Sequence, residues 1–226
     1  MTGLALIGLQ VSLRGEVLVA LDATVAPGEV LTIMGASGSG KSTALAAMLG
    51  TLDAGFAMQG RIVLDGVDVT ARPPQERRIG LLFQDDVLFP HLSVGGNLAF
   101  ALPAALRGRA ARRAAVEAAL EAAGLAGFAD RDPASLSGGQ RARVALLRTL
   151  LAAPRALLLD EPFSRLDATL RTQIRTFVLN RARSEGLPVV LVTHDPEDAR
   201  AAGGRALTPL GQPVPLPRQT PDARRA

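Results

Sequence analysis

Apolar residues along this chain follow two rhythms. Short unbroken apolar runs at Val30–Met34, Ile79–Phe83, Leu157–Leu159 and Val189–Thr193 predict buried strands. Such runs suit a parallel sheet covered on both faces, where alternation has no use. Arg61–Leu64 followed by Asp65-Gly66 predicts a further strand and a tight turn. The other rhythm is helical. Thr43–Leu49 reads as a helix, and Asp167–Ser184 carries Leu170, Ile174, Phe177 and Val178 at i, i+4, i+7 and i+8, an amphipathic stripe. Residues 92–152 are Ala- and Arg-rich, with Arg113, Glu117 and Glu121 spaced by four and Val116 and Leu120 on one face. They predict a helical lobe inserted into the sheet. After Gly203-Gly204, prolines at 209, 213, 215, 217 and 221 forbid a central strand. Residues 206–226 are therefore expected to form an edge hairpin at best, then a disordered tail.

Composition narrows the class. A chain of 226 residues that is 48% hydrophobic can bury the core of one domain. The absence of cysteine excludes disulfides and thiolate metal sites. Leu4–Leu13 is apolar but lacks a basic flank and is interrupted by Gly8 and Gln10, so it does not read as a signal peptide. No run of 18 apolar residues occurs, so a transport role needs other chains for the channel. The net charge is only +4. Arg107, Arg109, Arg112 and Arg113 read as a solvated helix face, and Arg218, Arg224 and Arg225 as part of a loose tail. A nucleic-acid surface is not expected, because stacking residues are scarce (Trp 0, Tyr 0, Phe 7).

One cation stands apart. Lys41 is the single lysine among 25 Lys+Arg residues, and it lies in Gly35-Ala36-Ser37-Gly38-Ser39-Gly40-Lys41-Ser42, followed by Thr43. This fits the phosphate-binding loop G-x-x-x-x-G-K-[ST], in the strand–loop–helix context the motif requires. A compact ammonium can reach between phosphate oxygens where a planar guanidinium is too wide. Backbone N–H groups freed by the glycines and the helix N-terminus would cradle a triphosphate. Lys41 would neutralise the β/γ-phosphates and the Ser42 hydroxyl would hold Mg²⁺.

Two further segments match that chemistry. Leu157-Leu158-Leu159-Asp160-Glu161-Pro162 is an apolar strand ending in two carboxylates, at the strand end where α/β sheets place ligands. Asp160 would join the Mg²⁺ shell, and Glu161 would orient or deprotonate a water. Leu136-Ser137-Gly138-Gly139-Gln140 precedes a helix with Val144, Leu147 and Leu151 on one side. Ser137 is a good N-cap, and the glycines allow an anion close to the helix start.

The phosphate loop, LSGGQ at 136–140 and the Asp160-Glu161 strand end, in this order, resemble ATP-binding cassette ATPases over about residues 3–205. The resemblance implies a P-loop NTPase: an α/β, RecA-like, mostly parallel sheet with an antiparallel β edge and an inserted α-helical subdomain. It also implies roles that the residue types alone do not. Gln84 looks like the Q-loop glutamine, a Mg²⁺ and water ligand facing a transmembrane partner. Asp167 looks like the D-loop aspartate at a dimer interface, and His194 like the switch histidine that contacts the γ-phosphate. A head-to-tail homodimer is implied, with each ATP between Lys41 and its loop in one subunit and Ser137, Gly138, Gly139 and Gln140 of the other. Partners would be separate permease subunits and, indirectly, a periplasmic binding protein, with the chain on the cytoplasmic side of the inner membrane. Two positions depart from the pattern. Arg14 stands where an adenine-stacking aromatic is usual, and its guanidinium can still stack on the base; Arg165 stands where the D-loop usually has a small residue. The stretch Phe83–Val94 with Asn97, and Pro162-Phe163-Ser164, are similar to importer subunits of the thiamine, iron, polyamine and sulfate types; an exporter or lipoprotein-release ATPase, or a non-transport member of the family, would share the same chemistry.

Overall fold

The computed structural model describes residues 2–85 and 87–216. Five strands form an all-parallel sheet: β3 (Val30–Met34), β6 (Ile79–Leu82), β7 (Ala156–Asp160), β8 (Val189–Thr193) and β9 (Arg205–Leu207). Their order is β6-β7-β8-β3-β9. The antiparallel part is a sheet of its own, ordered β2-β1-β4-β5, from β1 (Leu4–Leu13), β2 (Glu16–Val25), β4 (Phe56–Leu64) and β5 (Val67–Asp68). Helices α1 (Lys41–Leu49), α2 (Pro74–Arg77), α3 (Val94–Ala101), α4 (Arg109–Ala122), α5 (Gly138–Leu151), α6 (Ala168–Ser184) and α7 (Pro196–Ala202) complete it.

Period-two alternation sorts the parallel strands' side chains into two cores. Leu31, Ile33, Leu158, Val190 and Val192 pack with α1 and the antiparallel sheet. Leu157, Leu159, Val189 and Leu191 face the other way, onto α5 and α6. A third cluster joins α3, α4 and α5 through Leu98, Val116, Leu120, Val144 and Leu147. Each fully buried Leu or Val contributes about 1.5–3 kcal/mol. The apolar runs hence became strands because both faces are occupied.

The structure differs from the sequence expectation in places. The run at Ile79–Phe83 ends at Leu82; Ile79, Gly80 and Leu81 are half-buried and Phe83 is 50% exposed. This strand is an edge, so one flank lacks a covering neighbour. Leu4–Leu13 is a strand whose register slips between Leu6 and Leu9, where Gly8 has φ 53°, a bulge that hides the alternation. In place of the expected edge hairpin, Arg205–Leu207 forms β9, a parallel edge strand beside β3, and a single antiparallel bridge joins Leu207 to Pro213. The expected disordered tail, with Arg218, Arg224 and Arg225, lies beyond residue 216 and so outside the described residues.

Arg77 shows how the phosphate-loop helix is held. It is 4% exposed, and burial lowers its pKa. It donates to Ala47 O and Met48 O at 2.9 Å, to Arg72 O at 2.8 Å and to Thr70 O at 2.6 Å. Carbonyls at the α1 C-terminus lack helical partners, and a cation there also meets the negative end of the dipole. Each such charged hydrogen bond is worth about 1.5–3 kcal/mol. The far end of the helix that begins at Lys41 is thereby fixed.

Candidate active site

Parallel strands bring their C-terminal ends to one edge, and four neighbouring ends build the site. β3 runs into the phosphate loop, β7 ends in Asp160 and Glu161, β8 ends beside His194, and β6 leads to Gln84. A cleft of about 420 Å³ opens there. Ser37, Gly38, Gly40, Lys41, Ser42 and Thr43 line its floor, facing Gln84, Asp160 and Glu161, with Leu18 at one wall. Gly40, at φ 98°, passes so close to β2 that a Cβ would fall 2.6 Å from Leu18 O. Only glycine allows the loop to close down on that strand.

Lys41 is 6% exposed. Its Nζ donates to Gly35 O at 2.8 Å and Ala36 O at 2.9 Å and lies 3.5 Å from Glu161 Oε1. The ammonium is thus held across the mouth of its own loop, where incoming phosphate oxygens would meet it. Glu161 Oε2 lies 3.0 Å from His194 Nδ1, a pair 33 residues apart. Glu161 also adopts φ 45°, a conformation uncommon for a non-glycine residue, and its N–H continues the sheet by donating to Val192 O at 2.9 Å. The bend turns its carboxylate from the strand towards both Lys41 and His194.

Asp160 sits deeper. Burial raises its pKa, the neighbouring Glu161 raises it further, and Lys41 opposes them. A half-buried carboxylate held against ionisation, beside the Ser42 hydroxyl and the Gln84 amide, is an oxygen-rich set that fits a hard dication such as Mg²⁺. With the folded pKa above the unfolded one, Asp160 contributes stability below the unfolded pKa. That contribution is lost as pH rises through the folded value. At pH 7, above the unfolded pKa, the group therefore costs stability in the nucleotide-free protein. Asp160→Asn should accordingly raise the urea midpoint of the nucleotide-free protein at pH 7, with the gap closing in acid, while ATPase activity falls. Equal midpoints at pH 7 would show that Asp160 ionises without strain.

Other expected residues are placed less simply. Gln84 Nε2 donates to Ser164 Oγ at 3.1 Å, and Ser164 Oγ donates to Glu161 O at 2.9 Å. The next residue, Asp85, pairs with Arg165, so this departure from the family pattern clasps the Gln84 loop to the segment after Glu161. Asp167 caps α6, accepting from Thr169 N at 3.1 Å and Leu170 N at 3.0 Å. Arg14 lies exposed at the tip of the β1–β2 hairpin with φ 52°; Leu18, not Arg14, lines the cleft. Asn97 is fully buried and shapes the loop after Gln84. It accepts from Phe89 N at 2.8 Å and donates to the carbonyls of Phe89, Leu92 and Ser93 at 3.0–3.2 Å.

The LSGGQ segment does not line this cleft; Gly138 lines a neighbouring pocket with Gln84 and Arg165. Ser137 and Gln140 form a reciprocal cap at the start of α5, Ser137 Oγ accepting from Gln140 N and Gln140 Oε1 from Ser137 N. Gly138 is exposed. Gly139 is buried, and a Cβ there would fall 2.4 Å from Leu170 Cδ1, so it has a packing reason besides access for an anion. None of residues 136–140 lines the cleft beside Lys41.

Sequence reasoning missed Leu18, Ser164 and a charge network of Arg171, Arg175, Asp195 and Asp198 behind His194. The four-residue spacing of Arg171 and Arg175, with acids at the start of the following helix, was the available signal.

Comparison with known proteins agrees with this geometry. Residues 18–164 match the family described as "ABC transporter". The chain is 52% identical over 194 residues to the uncharacterized ABC transporter ATP-binding protein YnjD of Escherichia coli, covering 84% of this chain and 89% of that protein. It is 44% identical to the thiamine import ATP-binding protein ThiQ of Cereibacter sphaeroides, covering 86% and 83%. It is 43% identical to the Fe(3+) ions import ATP-binding protein FbpC of Agrobacterium fabrum, covering 83% of this chain and 52% of that protein.

Proposed function

This chain belongs to the ABC transporter family, and from that premise we propose that it is the ATP-hydrolysing subunit powering an importer whose channel lies in other chains. The observation that carries the reading is the convergence of Lys41, Ser42, Asp160 and Glu161 in one cleft, with His194 bound to Glu161. Relatives named for thiamine and iron import favour import over export or lipoprotein release. Among the described residues no helix is long and apolar enough to cross a membrane, consistent with a peripheral subunit docked on separate permease chains at the cytoplasmic face. Phe83, Val87 and Phe100, 50–70% exposed beside the Gln84 loop, suit that docking, and the α3–α5 lobe carries Phe100. A periplasmic binding protein would act on the permease side, and no nucleic acid is involved.

In the reaction, Lys41 and the loop amides take the β/γ-phosphate charge as the terminal phosphoryl group transfers. Ser42, Asp160 and Gln84 would hold Mg²⁺, which supplies further charge neutralisation when bound. Glu161 positions the attacking water and accepts its proton, and His194 holds Glu161 in place while reaching the γ-phosphate edge. That none of residues 136–140 lines the cleft of its own chain supports a head-to-tail homodimer in which Ser137, Gly138 and Gln140 close over the partner's ATP, Asp167 lying at the seam.

Mixing two inactive variants tests this. Ser137→Arg should keep nucleotide binding but lose ATP-dependent dimerisation and hydrolysis. Lys41→Ala should lose hydrolysis through its own loop. Together they leave one sound composite site in each mixed dimer, so turnover should return, at most about half of native per mixed dimer. No recovery at any mixing ratio would place both loops on one nucleotide within one chain.

A further inference from the structure

His194 is an exposed side chain, 57% accessible, that nevertheless lies 3.0 Å from Glu161 Oε2. With so little packing around the ring, its reach is set by the main chain on either side. Both neighbours are held. Thr193 is buried; its Oγ1 accepts from Asp195 N at 3.0 Å and lies 3.4 Å from Asp198 Oδ2. Asp195 caps α7, accepting from Glu197 N at 2.6 Å.

Two arginines from α6 grip this turn. Arg171 meets Asp198 with both prongs, Nε to Oδ1 at 3.1 Å and Nη2 to Oδ2 at 2.5 Å, and the same Nη2 reaches Asp195 Oδ2 at 2.8 Å. Arg175 Nη1 adds a bond to Asp198 Oδ1 at 2.9 Å. Asp198 is 2% exposed, so these bonds replace the water its carboxylate would otherwise hold. Two cations face two carboxylates, and the set closes on itself. The planar fork is what lets one side chain span Asp195 and Asp198 together. At its other end, Arg171 N donates to Asp167 O at 2.8 Å, one turn into the helix that Asp167 caps.

We propose that Arg171, supported by Arg175, is a positioning residue for ATP hydrolysis: it fixes the Thr193–Asp195 turn so that His194 meets Glu161. Asp167, Arg171 and Arg175 recur every four residues on one face of α6. A shift of the helix start on the partner side would therefore move the clamp on His194. The inference rests on the role given above to His194, and its test separates the two.

The chain has two histidines, so His91, exposed and on another segment, is an internal control. In the full-length protein, Arg171→Lys keeps the charge but loses the fork. The Cε1–Hε1 NMR signal of His194 should move while that of His91 stays. The ATPase kcat should fall about tenfold with the KM for ATP within about twofold, because the phosphate loop is untouched. An unmoved His194 signal overturns the proposal. So does movement of both signals, which marks a general structural role, or a moved His194 signal with unchanged kcat in a protein where His194→Ala is impaired. If His194→Ala itself turns over normally while the Arg171→Lys signal moves, the clamp stands as a structural fact and the role of His194 is what fails.

Discussion

Lys41→Arg should abolish ATP turnover almost as completely as Lys41→Ala, a loss of at least about 100-fold in kcat/KM for either variant. The charge is kept, so shape alone is under test. Lys41 is 6% exposed, and its ammonium lies within hydrogen-bond reach of Gly35 O and Ala36 O, with Glu161 Oε1 3.5 Å away. A slot that closes around one nitrogen has no room for a planar group of three, and the longer side chain would push either the loop or Glu161 aside. The chain itself writes 24 other cations as arginine and reserves lysine for this position. Steady-state ATPase assays and nucleotide binding by the purified chain check the outcome. Near-native turnover by the Arg variant would show that the loop tolerates a fork and that the lone lysine has no geometric cause.

Glu161→Gln should separate binding from hydrolysis. The amide keeps the length of the side chain and can still bond to His194, and the φ of 45° asks nothing different of it. What disappears is the ability to take a proton from water, worth about 10²–10⁴-fold in rate. Loss of the negative charge beside Lys41 also frees the ammonium for phosphate. The variant should bind ATP at least as tightly as the native chain and accumulate as an ATP-bridged dimer on size exclusion with Mg²⁺. Normal turnover from a monomeric variant would remove Glu161 from the reaction.

Strands and helices were legible where one local cause dominated. The apolar runs at Val30–Met34 and Val189–Thr193 have the observed strand bounds because both faces are buried. Asp167 and Ser137 cap helices because a short oxygen-bearing side chain satisfies free N–H groups within its own turn. β1 was not legible: the Gly8 bulge breaks the alternation that marks a half-buried strand. Arg14 and Leu18 show the same limit at the cleft. The hairpin carries Arg14 to an exposed tip and puts Leu18 on the cleft wall, a placement no local pattern contains.

By itself the sequence determined which groups are offered to a phosphate. A glycine-freed backbone, a following lysine and a helix start act within about ten residues, and the short range of hydrogen bonds makes such a motif self-contained. Tertiary structure alone decided which distant groups meet one another. Strand order placed β8 between β7 and β3, and so set His194 against Glu161 and Glu161 against Lys41. Packing of α6 on α7 joined Arg171 to Asp198, and the loop after β6 met the segment after β7 through Gln84 and Ser164, 80 residues apart. Those contacts depend on how sheets and helices stack, a property of the whole apolar core that no local stretch of residues contains.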